Sequence, residues 1–151
     1  MAADEVTDLK TGQLIYPGFQ RGPGLHNASA YQVSGKPFFT GSVAVGTTPV
    51  FISFPAVSIW VNIVNEGAAE PIHVGLTQNG VKSGGTNNFM YMQSTSGSWN
   101  QTGQMSLKTT GVWIRTPANN TKVSVVASLT QIANQLSASK GPNWSGSSGV
   151  G

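Results

Sequence analysis

The sequence predicts an all-β protein, an antiparallel sandwich of the jelly-roll kind or a related one. Short apolar runs alternate with polar residues and are separated by turn signals every 8 to 15 residues or so, which is typical of about seven to nine sandwich strands. No stretch keeps helical spacing with capping residues for more than about one turn. A chain of 151 residues holds one such domain with additional terminal segments.

Residues 1–36 are predicted to form an extended N-terminal arm. The stretch from Tyr16 to Gly24 is rich in Gly and Pro and has no apolar period of either kind. It also contains large apolar residues, which free linkers rarely carry. We therefore expect the arm to lie on a partner, through Leu14, Ile15, Tyr16, Phe19 and Arg21.

Residues 37–132 are predicted to form the sandwich body. In the run Val57–Asn65 the odd positions, including Ile59, are expected to face the core and the even positions the other side. The last strand, 122–132, alternates in the same way. We also expect a strand in the segment 49–54 and, between the two runs, strands in the segments 72–76, 88–92, 104–108 and 112–115, with a tight turn at Asn79-Gly80.

Residues 133–151 return to a composition rich in Gly and Ser and are predicted to form a C-terminal tail. Tails of this kind gain order mainly when a partner holds them. Trp144 is the one large apolar side chain of the segment 137–149, so we expect it to anchor the tail on that partner.

The charge content is low: 9% of the residues are charged, against about 25% in an average globular protein. Surfaces made of Ser, Thr, Asn, Gln and Gly suit contact with another protein, since few charges must be desolvated. The net charge is +3, but the Lys and Arg residues are scattered singly. A nucleic-acid binder would cluster them or interleave them with aromatic residues, so no nucleic-acid partner is expected.

No catalytic or metal-binding constellation is recognised, and we expect neither an enzyme nor a bound cofactor. The chain lacks Cys, which excludes thiolate sites. Glu66 and Glu70 lie in one predicted turn and do not resemble a glycosidase pair. His26 and His73 have no second ligand at metal-binding spacing, and alternation with Ile72 and Val74 points His73 away from the core.

Aromatic residues are the remaining candidates for a binding role. Trp99 lies beside Asn100 and Gln101 in a polar loop, where a ring surrounded by amides can stack on sugars. An alternative function is therefore a carbohydrate- or receptor-binding domain on a virion or tail fibre. For Trp60 and Trp113, which lie within strands, we favour a role in capping the core or in a subunit interface.

Two observations bear on location. The N-terminal residues are acidic and lack the apolar run of a signal peptide. No segment approaches the roughly 18 apolar residues needed to span a bilayer. We therefore expect no membrane partner and a chain made in a cytoplasm.

Three segments together resemble small β-sandwich proteins that decorate, or cement, the capsids of tailed bacteriophages. They are 29–41 (SAYQVSGKPFFTG), 52–65 (ISFPAVSIWVNIVN) and 123–132 (VSVVASLTQI). The resemblance spans residues 29–132 and concerns the pattern of strands and turns. It implies a jelly-roll body, a homo-oligomer with a trimer favoured, the major capsid protein as partner, termini that clamp adjacent capsid subunits, and a location on the capsid surface of the virion.

Overall fold

The computed structural model describes residues 6–7, 14–15, 35–67, 70–94, 100–133 and 149. Ten strands and one short helix follow each other in the order β1 (Val6–Thr7), β2 (Leu14–Ile15), β3 (Pro37–Val45), β4 (Val50–Ser53), β5 (Ala56–Asn65), β6 (Ile72–Gly75), α1 (Gln78–Val81), β7 (Phe89–Met92), β8 (Asn100–Gln101), β9 (Gly111–Arg115) and β10 (Thr121–Ala133).

Two four-stranded antiparallel sheets form the body, which confirms the predicted all-β sandwich. The first sheet has the order β3-β10-β5-β8 and the second the order β4-β9-β6-β7. Counted from β3, the first strand pairs with the eighth, the second with the seventh, the third with the sixth and the fourth with the fifth. These nested pairs are those of one long hairpin wrapped into two layers, which is the jelly-roll topology.

The core lies between the two sheets and follows the predicted alternation. Val61 and Ile63 of β5 are fully buried, and Val123 and Val125 of β10 lie beside them. The second sheet contributes four strands of inward residues, including Ile72, Val112 and Ile114. Phe54, which follows β4, is also fully buried and meets the ring of Phe38 edge-on, with centroids 5.0 Å apart.

The predicted face of β5 is wrong at Ser58 and Ile59, whereas Val57 is fully buried as predicted. Ser58 is fully buried, whereas Ile59 keeps part of its surface exposed. The pairing register with β10 shifts between Ser128 and Leu129, so the alternation is interrupted there. The buried Ser58 hydroxyl is satisfied because it donates to the Leu107 carbonyl at 2.6 Å.

Two further local predictions differ from the structure. Asn79-Gly80 does not form a tight hairpin turn; it lies in α1, whose first turn is capped by the Thr77 hydroxyl accepting from the Gly80 amide at 2.8 Å. The segment 104–108 is not a regular strand. It follows the edge of β5 through a single bridge, Val61 with Met105, in which both backbone bonds measure 2.9 Å.

The described parts of the terminal segments pair within the chain. Val6 and Thr7 of β1 pair with Ile15 and Leu14 of β2 in a small separate sheet. Gly149 is buried and forms an antiparallel bridge with Thr109, beside the first sheet. The predicted arm therefore contains a short hairpin, and one point of the predicted tail contacts its own body.

Candidate binding surfaces

Titratable side chains do not gather into a metal site in the part of the chain that the structure describes: no group of three or more His, Asp or Glu residues lies together there. Glu70 accepts from the backbone amide of Asn119 at 3.3 Å and so ties two turns together. Glu66 accepts from the Ser42 amide at 3.2 Å and from the hydroxyls of Ser42 and Ser124. The two carboxylates have separate structural partners.

Glu66 binds β3 at Ser42, where the backbone of the strand is irregular. Ser42 has a positive φ of 51°, which is uncommon for a residue with a side chain, and the register between β3 and β10 shifts at the same place. The hydrogen bond from Ser124, with those from Ser42, lowers the pKa of Glu66 below its ordinary value, because these donors favour the charged carboxylate.

His73 points away from the sandwich core, as the alternation predicts, but it is not an exposed strand residue. Only 7% of its surface is accessible. Its ring stacks on Phe89 with centroids 3.9 Å apart, and Tyr91 lies 5.5 Å away. Burial lowers the pKa of His73, and the nearby Arg115 guanidinium lowers it further, since both disfavour the imidazolium.

Arg115 is the partner of His73 on the neighbouring strand, and it too is 7% exposed. Its Nε donates to the Val81 carbonyl of α1 at 2.6 Å, and its Nη2 lies 3.1 Å from Nδ1 of His73. Because a guanidinium only donates, Nδ1 accepts and the neutral ring carries its proton on Nε2. Arg115 therefore fastens α1 onto the outer side of the second sheet.

Gly75 allows α1 to pack closely against the second sheet. A Cβ atom at Gly75 would lie 2.8 Å from Cγ1 of Val81, so the absence of a side chain lets α1 approach the sheet. Val81 is fully buried as a result. His73, Arg115, Gly75 and Val81 thus form a small second core outside the sandwich, which we call the outer core.

An aromatic face remains open around this outer core. We use the term for four residues on the outer side of the second sheet: Phe51, Trp113, Phe89 and Tyr91. Phe51 is 39% exposed and lies against Trp113, with ring centroids 4.9 Å apart; Tyr91 is 54% exposed. The strand register places Phe51, Trp113 and Phe89 in one row across the sheet and Tyr91 in the adjacent row.

The outer side of the first sheet carries a different surface. Phe39 is 71% exposed and pairs with Val126, which in turn pairs with Asn62; Trp60 pairs with Ser128. Apolar and neutral polar side chains alternate across it, and the central positions carry no charge. We call this set the uncharged face: Pro37, Phe39, Trp60, Asn62, Val64, Gln101, Ser124, Val126 and Ser128.

The structure places two of the three candidate glycan residues at the edge of the first sheet. Asn100 and Gln101 form β8, which pairs with Asn65 and Val64 of β5. The Gln101 side chain accepts from Asn62 at 3.3 Å, and the Asn100 amide donates to the Gln93 carbonyl. Both amides therefore take part in bonds within the chain. Trp99 lies outside the described residues.

Most residues predicted to bind through the arm and tail also lie outside the described residues: Tyr16, Phe19, Arg21 and Trp144. Leu14 and Ile15 are described as the strand β2. The two strand tryptophans, Trp60 and Trp113, are half-buried on the outer sides of the two sheets and do not cap the core between them.

The sequence-based candidates did not include the exposed aromatics Phe39, Phe51 and Tyr91. Each lies at an outward-facing position of its strand. Phe51 and Tyr91 have apolar neighbours on both sides (VFI and MYM), and Phe39 has one on one side (FFT). An aromatic residue in the outward phase of an amphipathic strand is the signal that identifies such positions.

Comparison of this chain with models of protein families, with curated proteins and with solved structures gave no match. Within the described ranges, no helix is long and apolar enough to cross a membrane. The inference of function therefore depends on the fold and its surfaces.

Proposed function

We propose that this protein is a virion structural protein that decorates a phage capsid and stabilises it by binding the lattice of the major capsid protein. The proposal agrees with the resemblance of its strand pattern to capsid decoration proteins and with the jelly-roll topology, an architecture used in viral capsids and in lectins. Because one fold serves many functions, the surfaces carry the argument.

The observation that carries the proposal is the presence of exposed aromatic residues on both outer sides of the sandwich. Phe39 is exposed on one side, and Phe51 and Tyr91 are exposed on the other. Soluble monomers seldom expose clustered apolar surface without a partner. A receptor-binding domain needs one such surface, whereas a protein that links neighbours in a shell needs at least two.

The composition of these surfaces favours a protein partner. The eight strands of the body contain two charged residues, Lys122 and the buried Arg115. Contact through such strands desolvates few charges, and the centres of protein interfaces are likewise poor in charge and rich in aromatic residues. The alternative glycan site has less support, since the Asn100 and Gln101 amides bond within the chain.

The aromatic face is the surface that we assign to the capsid lattice. Phe51 and Tyr91 supply exposed rings, while the outer core beneath them holds β6, β9 and α1 together. Such a surface is preorganised, so little side-chain and loop ordering is needed when it docks. Many copies bound to a lattice would stabilise it, as any ligand of the native state does.

The test mixes the purified chain with undecorated capsids assembled from the major capsid protein of the same genome. We expect saturable co-sedimentation and a raised melting temperature of the capsid. Tyr91→Lys should weaken co-sedimentation at least tenfold, because an unpaired cation would be buried at the contact. Ala118→Lys adds the same charge in an exposed turn and serves as the matched control.

Absence of co-sedimentation with the wild-type chain at micromolar concentrations would reject capsid decoration. If the wild type binds and Tyr91→Lys binds equally well, the function stands and the assignment of the aromatic face is wrong. Glycan-array binding by the wild-type chain, in the absence of capsid binding, would instead favour a receptor-binding role.

A further inference from the structure

The uncharged face has no cover among the described residues, in contrast to the second sheet with its helix. The four strands that form it, β3, β10, β5 and β8, contain one charged residue, Lys122. Lys122 pairs with Ala44 at one end of the sheet, close enough to Glu66 for the two opposite charges to interact. The centre of the face therefore has no charge, and the one cation at its end lies near a carboxylate of the same chain.

This pattern matters because the chain as a whole is basic. Its eight Lys and Arg residues exceed its five acidic residues, so two copies repel each other on average. The repulsion is weakest where the approaching surfaces lack charge, since charges more than about 8 Å away are screened at physiological salt. The uncharged face is such a surface.

We propose that the uncharged face is a homodimer interface, in which it packs against the same face of a second copy. In a two-fold contact both copies bury the same patch, so a charge in a patch that offers no opposite charge would be desolvated without a partner in both copies. Here Phe39, Val126 and Trp60 supply apolar area. Ser128 and Asn62 are neutral, so burying them does not desolvate an ion.

The dimensions of the face predict a modest affinity. The long strands β3, β5 and β10 have 9, 10 and 13 residues. With a rise of about 3.3 Å per residue and a strand spacing of about 4.8 Å, they give a footprint of roughly 30 Å by 15 Å. This is smaller than the about 800 Å² per partner of a standard stable interface, so we expect dissociation in the micromolar range.

The dimer is independent of capsid binding. It uses the first sheet, whereas the capsid contact proposed above uses the aromatic face of the second sheet. The two sheets lie on opposite sides of the core, so one copy can engage both neighbours at once. The two-fold contact is an alternative to the trimer that the family resemblance implies.

The test is sedimentation velocity of the full chain at concentrations from about 1 to about 300 µM, a range that brackets the expected affinity. Wild type is expected to pass from monomer to dimer. Phe39→Lys should weaken dimerisation at least tenfold, since it buries an unpaired cation in the contact of each copy. Val126→Lys, at the centre of the face, provides a second disruption. Tyr91→Lys is the matched control on the other sheet and should dimerise like the wild type.

Phe39 is 71% exposed, so its replacement leaves the monomer fold intact, and thermal unfolding of Phe39→Lys at low concentration verifies this. Three outcomes overturn the proposal: a wild type that stays monomeric throughout, an odd-numbered oligomer, or a Tyr91→Lys variant that loses association as much as Phe39→Lys. A chain that dimerises as expected but does not co-sediment with capsids rejects the proposed function and leaves the dimer standing.

Discussion

The outer sides of the two sheets differ in how far the rest of the chain covers their outward-facing residues. Each consists of outward-facing residues of four strands, and each contains aromatic rings. On the second sheet, α1 accepts a hydrogen bond from Arg115, and Phe89 stacks on His73, so part of the surface becomes an outer core. On the first sheet, Phe39 and its neighbours have no such cover among the described residues. Covered residues contribute to stability, and uncovered ones are available for binding.

This contrast makes quantitative predictions about substitutions on the two sides. Changes in the outer core are expected to cost folding free energy. Changes on the uncharged face are expected to leave the monomer stable and to alter association.

The largest effect is expected for Arg115→Ala. This change leaves the Val81 carbonyl and Nδ1 of His73 without their donor and removes packing from a buried position. We expect the free energy of unfolding to fall by about 2 to 4 kcal/mol, measured by urea denaturation. Lys122→Ala, at an exposed position, should change it by less than about 0.5 kcal/mol. A similar small change for Arg115→Ala would show that α1 does not stabilise the sheet.

The next effect is expected for Val81→Ala. Val81 is fully buried over Gly75, and losing two methyl groups should cost about 1.5 to 3 kcal/mol, including the cavity term. The same change at Val64, half-buried on the uncharged face, should cost less than about 1 kcal/mol. Equal losses at the two positions in chemical denaturation would contradict the distinction between a covered and an uncovered side.

The pH dependence of stability tests the state of His73. Burial and the nearby Arg115 hold the folded-state pKa of His73 below the ordinary value of about 6.5, so as the pH falls below that value the unfolded chain takes up the proton first. Stability is therefore full above that pH and decreases as the pH falls towards the folded-state pKa. His73→Gln removes the titration, and its unfolding free energy should fall less than that of the wild type between about pH 7 and pH 5. Parallel curves for the two proteins would disprove the burial of a neutral His73.

The smallest effect on monomer stability is expected for Phe39→Ser. The ring is 71% exposed, so at a concentration below dimer formation the free energy of unfolding should stay within about 0.5 kcal/mol of the wild type. At higher concentration the wild type alone should gain stability, because association favours the folded state. A large loss in the dilute variant would mean that Phe39 packs against its own chain.

The sandwich could be predicted from sequence because its two longest strands have a clear period of two. β5 and β10 bury Val61, Ile63, Val123 and Val125 as the alternation indicates. Alternation also identified the side of the sheet on which His73 lies. It could not show that His73 is buried, because the residues that cover the ring, Phe89 and Arg115, come from neighbouring strands. Nor could it show that α1 accepts a hydrogen bond from Arg115, since Asn79-Gly80 in that helix is typical of a hairpin turn.

The binding surfaces were predicted less well than the fold. The candidates came from loops and termini, where Gly, Ser and aromatic residues stand out in the sequence. The exposed rings of Phe39, Phe51 and Tyr91 lie within strands, where an outward aromatic looks like one more core residue until the strand's phase is known. The interruption at Ser58 arises from the pairing register with β10, which a local pattern does not contain.

The nested pairing of the strands also places the beginning of β3 and the end of β10 at the same end of the sandwich. Pro37, where β3 begins, is paired with Ser128, near the end of β10, whereas Val45 is paired with Thr121 at the opposite pole. Segments fused before β3 or after β10 would emerge together at one pole. The turn at 117–120 lies at the other pole and is exposed, so a peptide inserted beside Ala118 would be displayed far from both fusions. A single copy thus offers two well-separated sites at which other polypeptides can be attached.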